Sequence, residues 1–186
     1  MNQLFAAAAE VQQYCQQRNW KFCFIGGLAT LRWGEPRFTG DVDLTILANY
    51  GEEELVIDGL LDRFVPRLRD ARHFALAHRV VLVSATNGTP VDVALGALDF
   101  EERTMERASL WDANGVMLLT CSADDLIVHK VFAGRDRDWA DIGGIVARQR
   151  GKLDRTVILA ELAPLLQAKG DSENLTRAGD MLAADA

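Results

Sequence analysis

Three acids stand out by their spacing. Asp41 and Asp43 lie one residue apart in Asp41-Val42-Asp43-Leu44, and Asp92 interrupts Val91-Asp92-Val93. Strand side chains alternate faces, so Asp41 and Asp43 project together while Val42 and Leu44 enter a core. Asp92 stands likewise on the face opposite Val91, Val93 and Leu95. If the two strands are neighbours, three carboxylates converge. Two unit charges about 4 Å apart repel by roughly 4 kcal/mol at the effective dielectric of a protein surface, so such a cluster needs a cation or a proton. Hard oxygen ligands, few and open to solvent, suit Mg²⁺. Two such ions can clamp the attacking and leaving oxygens of an in-line displacement at phosphorus.

The pair Gly26-Gly27 gives the acids a counterpart. It ends one apolar run and precedes a helix-like one, so bare backbone N–H groups and the positive end of a helix can cradle phosphate oxygens there. Each piece has a plainer reading: Gly-Gly is common in turns, and Asp-x-Asp occurs on solvent-facing edge strands or, in glycosyltransferases, holds a metal-bound sugar nucleotide. The order favours the phosphate chemistry: strand, Gly-Gly, short helix, Asp-x-Asp strand, long helix, hairpin strand with a lone Asp.

The elements that must position these residues follow from periodicity. Residues 3–17, with Leu4, Ala8, Val11 and Tyr14 or Cys15 at helical spacing, predict an amphipathic helix. Residues 21–25 read as a buried strand, and Leu28, Leu31 and Arg32 as a brief helix stopping near Gly34-Glu35-Pro36. Residues 41–47 form the second strand. Glu52, Glu53 and Glu54 open a helix at its positive dipole end, with Leu55, Leu60, Leu61 and Phe64 on its apolar face. Pro66 kinks or ends it. Arg63, Arg67, Arg69 and Arg72 cluster around this proline, Arg63 and Arg67 on one helix face, balanced by Asp62 and Asp70 or available to an RNA acceptor. Residues 79–85 and 90–95 are strands joined by the hairpin signal Asn87-Gly88 and should pair antiparallel. A polar segment, 100–107, leads to a strand or extended link at 116–120. Ser122-Ala123-Asp124-Asp125 is an N-cap signature, and helices are expected over 122–134, from 136 through Val146, over 156–168 and in the last dozen residues. A hinge between core and tail is expected at 148–152.

Bulk properties bound the rest. With 186 residues, 49% of them hydrophobic and 25% charged, the chain falls among globular domains, as one domain or a small core with a helical appendage. A net charge of -7 argues against broad adhesion to nucleic acid. Cys15, Cys23 and Cys121 are odd in number and set in apolar surroundings, which predicts buried reduced thiols and no metal site. His73, His78 and His129 show no metal spacing. The run Leu4 to Ala9 lacks a basic flank and continues into glutamines, so it reads as helix and not as a leader. No apolar run approaches the roughly 18 residues that span a bilayer, so a cytoplasmic protein without a membrane partner is expected.

Taken in order, Gly26-Gly27, Arg37, Thr39, Asp41-Val42-Asp43-Leu44 and Val91-Asp92-Val93 resemble the nucleotidyltransferase superfamily built on the DNA polymerase beta type of palm. More narrowly, the chain is similar to bacterial minimal nucleotidyltransferases that include the AbiEii-like toxins of type IV toxin-antitoxin systems. The resemblance spans about residues 20–145 and takes in Asp125 to Lys130 and Arg137 to Ile142. It implies an α/β (α+β) fold with a mixed β-sheet, flanking helices and a helical C-terminal extension, divided into residues 1–121 and 122–186. It implies that Gly26 and Gly27 hold the triphosphate of an NTP, that Asp41 and Asp43 bind two Mg²⁺ or Mn²⁺ ions, and that Asp92 completes the catalytic ion site and helps deprotonate an acceptor hydroxyl. Lys130 would neutralise triphosphate charge. Arg37 and Thr39 would touch phosphate or acceptor, or simply pack the loop, and Asp138 and Asp141 match family positions. Many superfamily members carry Gly-Ser where this chain has Gly26-Gly27, which removes one hydroxyl contact; Gly-Gly is usual in the AbiEii-like branch. The expected activity is transfer of a nucleoside monophosphate to RNA, protein or a small molecule, with an antitoxin as partner in the toxin reading. A small-molecule, antibiotic-type transferase and a non-catalytic nucleotide-binding module are the alternatives.

Overall fold

In the computed structural model, which describes residues 2–183, the acids sit where one strand ends beside the beginning of the next. The first half of the chain runs α1 (Gln3–Gln17), β1 (Phe22–Phe24), α2 (Gly26–Trp33), β2 (Val42–Leu47), α3 (Glu53–Arg63), β3 (Val65–Pro66), α4 (Ala71–His78), β4 (Val80–Ser84) and β5 (Pro90–Gly96). It continues through α5 (Asp99–Arg107), β6 (Ser109–Asp112), β7 (Met117–Thr120), α6 (Ala123–Ala133), α7 (Asp136–Arg148), α8 (Arg155–Lys169) and α9 (Ser172–Ala183). The mixed α/β class is as the residues implied. The expected final helix is α9, and the expectation for residues 184–186 lies outside the described residues.

The strands assemble into one mixed sheet in the order β3-β4-β5-β2-β1-β7-β6. Aromatic and β-branched residues suit its half-buried pleats. Val42, Leu44 and Ile46 of β2 and Val91 and Val93 of β5 are fully buried on one face, which leaves the alternate positions for polar groups. The Asn87-Gly88 turn forms as expected: Gly88 takes a φ of +83°, its N–H donates to the Ala85 carbonyl at 2.9 Å, and β4 pairs antiparallel with β5. Against the sheet, α1 places Gln12 so that its amide bonds the Met117 carbonyl at 2.7 Å and accepts from the Leu119 N–H at 2.9 Å. Cys15, Cys23 and Cys121 are buried and form no disulfide, and burial pushes the Cys15 thiol up to about 12.

Several segments differ from the sequence reading. The polar stretch 100–107 is helical, because Glu101 accepts from the N–H groups of Ala97 and Leu98 at 2.8 and 2.9 Å and starts α5. Only Phe100 and Thr104 of α5 are buried, too thin an apolar face to register as a period. Helix α4 and strand β6 also lay outside the reading. Helix α3 ends at Arg63, before Pro66, which pairs with Val83 in β3; Arg67 therefore follows a strand and shares no helix face with Arg63.

The chain divides into two compact units, Met1–Leu28 with Phe38–Cys121, and Ala29–Arg37 with Ser122–Ala186. The first contains the sheet. The second contains α6 to α9 and the segment that follows the start of α2, which α7 grips: Arg148 bonds the Gly34 carbonyl, Gln149 bonds that of Trp33 at 2.9 Å, and a Cβ on Gly144 would lie 3.1 Å from the Glu35 amide nitrogen. Residues 148–152, expected as a hinge between core and tail, form the turn between α7 and α8 inside the second unit. Ser122 caps α6 as expected, its hydroxyl accepting from the Asp125 N–H at 3.1 Å and donating to the Asp125 carboxylate at 2.6 Å.

Candidate active site

Strand register brings the acids together. Parallel pairing of β2 with β5 sets Asp43 opposite Asp92, and Asp41 precedes Asp43 by two residues on the same face. Each is only partly exposed. Antiparallel pairing of β1 with β2 then delivers the residues after β1 to the same place, with the Ile25 N–H on the Asp43 carbonyl at 3.0 Å.

That placement explains the glycines. Gly26 has a φ of +56°, a conformation that side chains rarely adopt, and a Cβ there would lie 2.7 Å from the Cβ of Asp43 and collide with its carboxylate. A Cβ on Gly27 would lie 2.9 Å from that of Thr39. The missing side chains are the space that Asp43 and Thr39 fill. The Gly27 N–H donates to Asp43 Oδ2 at 3.3 Å, a long bond, and Thr39 Oγ1 donates to Asp41 Oδ1 at 3.0 Å. Thr39 thus touches an acid of the platform. Phe38 beside it, unremarked in the sequence, is 91% exposed with its ring against Gly40.

Arg67 is the other residue that sequence reasoning misplaced. Its guanidinium donates to Asp92 Oδ1. Its own amide donates to the Leu82 carbonyl at 3.0 Å, and Leu82 is the β4 partner of Asp92, so pairing carries Arg67 to that carboxylate. Nothing in the sequence marks this contact, since it depends on the register of three strands. Of the other arginines of the cluster, Arg63 turns to Glu10 (2.8 Å) and Arg72 to Asp58 and Glu54 (2.7 and 2.5 Å), not to Asp62 and Asp70. Burial raises the pKa of Asp92 and the charge of Asp41 adds to it; Arg67 opposes both, and the carboxyl still stands above its ordinary value.

The second unit holds a different cluster. Lys130 Nζ lies 2.5 Å from Asp141 Oδ2 and 3.5 Å from Asp138 Oδ1, with all three side chains at least 95% buried. Arg37 adds a two-pronged contact to Asp141 at 2.7 and 2.8 Å, and Arg135 binds Asp138 at 2.6 Å. Burial opposes ionisation of both acids, but these cations outweigh it and hold both carboxyls below their ordinary value. Of the residues singled out from the sequence, Gly26, Gly27, Thr39, Asp41, Asp43 and Asp92 thus meet in the first unit. Arg37 and Lys130 meet in the second, on Asp141.

The platform has the donor chemistry of a hard cation: carboxylates only, on one sheet face, partly solvated. Among the described residues, no three such side chains close tightly enough around one point to hold an ion. The acids fit a metal by type and register, and Thr39, Gly27 and Arg67 donate to Asp41, Asp43 and Asp92 in turn.

Residues 1–161 match the family described as nucleotidyltransferase of unknown function, DUF6036. The chain belongs to this family. It is therefore a nucleotidyltransferase, a class that takes NTP substrates and generally uses divalent metals. None of the curated proteins compared matches it. Among solved structures it is similar to an antigenic nucleotidyltransferase-like protein from Paracoccidioides brasiliensis, with 17% identity, a TM-score of 0.55, and coverage of 94% of this chain and 93% of that one. At that identity the likeness shows the fold. Weaker matches are the lincomycin-bound lincosamide adenylyltransferase LnuA (13% identity, TM-score 0.48, 73% of this chain and 91% of that one) and the antibiotic-resistance factor ANT(2'')-Ia (14%, TM-score 0.45, 97% and 91%). No described helix is long and apolar enough to cross a membrane.

Proposed function

We propose that this nucleotidyltransferase moves a nucleoside monophosphate from an NTP to an acceptor hydroxyl with the help of two Mg²⁺ or Mn²⁺ ions held by Asp41, Asp43 and Asp92. A bond forms between the acceptor oxygen and the α-phosphorus, the bond from that phosphorus to the bridging oxygen breaks, and pyrophosphate leaves. The observation that carries this reading is the register of Asp43 against Asp92, with Asp41 on the same face and Gly26 pressed on Asp43.

When bound, the ions supply charge neutralisation of the triphosphate and a more acidic acceptor hydroxyl. The chain's own residues do the rest. Gly26 and Gly27 bring bare backbone against Asp43 and Thr39, and the long Gly27 N–H contact to Asp43 is cheap to exchange for a phosphate oxygen. Thr39 holds Asp41 in place through its hydroxyl. Asp92 helps take the acceptor proton on a carboxylate oxygen. Phe38, exposed next to Thr39, suits stacking on a base or an acceptor ring. In the second unit, Arg37 and Lys130 carry a phosphate-binding assignment through the resemblance alone.

The finer assignment to the AbiEii-like toxins, with RNA or protein as acceptor and an antitoxin as partner, rests on the same ordered motifs. To test both levels, wild type and Asp43→Asn are incubated with each labelled NTP, Mg²⁺ or Mn²⁺, and whole-cell RNA and protein. Label entering one macromolecular fraction with wild type alone supports the toxin-like acceptor class. Label on small metabolites alone assigns a small acceptor, and no transfer by wild type anywhere would sink the catalytic reading.

A further inference from the structure

We infer that Arg67 is a built-in counter-cation which occupies Asp92 and yields it to a divalent ion, so that metal binding at the acidic platform proceeds by displacement of a guanidinium. The inference rests on the two-ion reading above and adds to it a residue that governs when the platform accepts its ions.

Arg67 donates to Asp92 Oδ1, with the two side chains 30% and 36% exposed, so the contact is made within reach of water and is inexpensive to break. Its backbone is fixed all the same. The Arg67 amide bonds to Leu82, Leu82 is the cross-strand partner of Asp92, and Pro66 stiffens the approach, so the guanidinium returns to the same carboxylate whenever it is vacated. Of the neighbouring arginines, Arg63 is engaged by Glu10 and Arg72 by Asp58 and Glu54. Asp41 and Asp43 receive a hydroxyl from Thr39 and an amide from Gly27, both uncharged donors. Arg67 thus meets the acid on β5, across β2 from the strand that leads into the Gly26-Gly27 turn.

A guanidinium cannot lose its proton in this setting, so its charge cannot be titrated away to make room. A divalent ion at Asp92 and Arg67 in its present position would repel each other at contact distance. Binding of one must expel the other. The side chain acts through Asp92: it occupies the carboxylate until an ion displaces it.

The probe is Mn²⁺, its free concentration followed by electron paramagnetic resonance, on the full chain. Arg67→Gln and Arg67→Met should bind Mn²⁺ about fivefold more tightly than wild type, the yield expected from removing one exposed competing ion pair. Arg67→Lys, which keeps the charge, should stay close to wild type. In an Asp92→Asn background, adding Arg67→Gln should change nothing. Equal or weaker binding by both neutral variants overturns the inference, as does a gain that persists without the Asp92 carboxylate or appears equally in Arg67→Lys. Two neutral variants guard against one failing to fold, and circular dichroism melts accompany each. Wild type that binds no Mn²⁺ removes the two-ion reading itself; wild type that binds it while Arg67→Gln and Arg67→Met bind no more tightly removes only the role of Arg67.

Discussion

Two clusters of aspartates invite comparison, Asp41, Asp43 and Asp92 in the first unit and Asp138 and Asp141 in the second. The first lies on a sheet face, partly exposed, with Arg67 on Asp92. The second is almost fully buried among Lys130, Arg37 and Arg135. Burial accounts for the difference. Charges withdrawn from water must be neutralised by partners already in the chain, because an uncompensated buried charge costs several kcal/mol. Partly solvated carboxylates can remain in excess, and that excess is what a mobile cation can relieve. Spacing assigns each pair its surroundings: Asp41-x-Asp43 shares a strand face that ends in solvent, whereas Asp138-x-x-Asp141 shares a helix face turned inward.

If the platform is the chemical cluster, Asp43→Asn should reduce nucleotidyl transfer by about a hundred- to a thousandfold, in the range of losing a key electrostatic group. The thermal midpoint should hold or rise. A variant that lost stability in parallel with activity would assign Asp43 to the scaffold instead. The buried cluster should respond in the opposite way: Lys130→Met ought to cost about 3–5 kcal/mol in denaturant unfolding, since Asp138 and Asp141 would lose a buried partner. A negligible loss there would erase the contrast.

A smaller effect is expected at the turn between β1 and α2. Gly26→Ala would place a side chain at positive φ against Asp43, for a loss of about 1–3 kcal/mol, and displace the carboxylate, so melting and transfer assays should both fall. The smallest effect is in pH dependence, where the clusters should have opposite signs. Asp138 and Asp141 have lowered folded pKa values, so their contribution to stability is present above the ordinary carboxylate pKa and is lost as pH falls through those lowered values. Asp92 has a raised folded pKa; its contribution is present below the ordinary value and is lost as pH rises through the raised one. Unfolding curves of wild type and Asp92→Asn across the carboxylate range should diverge as pH rises, the variant becoming relatively more stable. Parallel curves would mean that burial and the charge of Asp41 do not raise the pKa of Asp92.

Much of the platform was readable from one sequence, because its parts sit on local patterns. Alternation in Asp41-Val42-Asp43-Leu44 names a face, and Asn87-Gly88 names the hairpin that brings Asp92 into the sheet. The reason for Gly26 and Gly27 was only half legible: the sequence suggests room for phosphate, while the structure shows that Asp43 and Thr39 already use that room. Arg67 was out of reach, since its contact depends on the registers of β3, β4 and β5 together. So was the meeting of Arg37 and Lys130 on Asp141, whose members are separated by 104 and 11 residues. Helix α5 hid behind polar residues, because its start is fixed by Glu101 and not by an apolar stripe.

The central claim is that the platform's acids are held in repulsion for a cation to resolve. Thermal unfolding of wild type and Asp41→Asn, each with and without Mn²⁺, tests it most directly. The account predicts that Asp41→Asn melts higher than wild type without the ion, and that Mn²⁺ raises the midpoint of wild type but scarcely that of the variant. Equal Mn²⁺ shifts in the two proteins, or none in either, would contradict it.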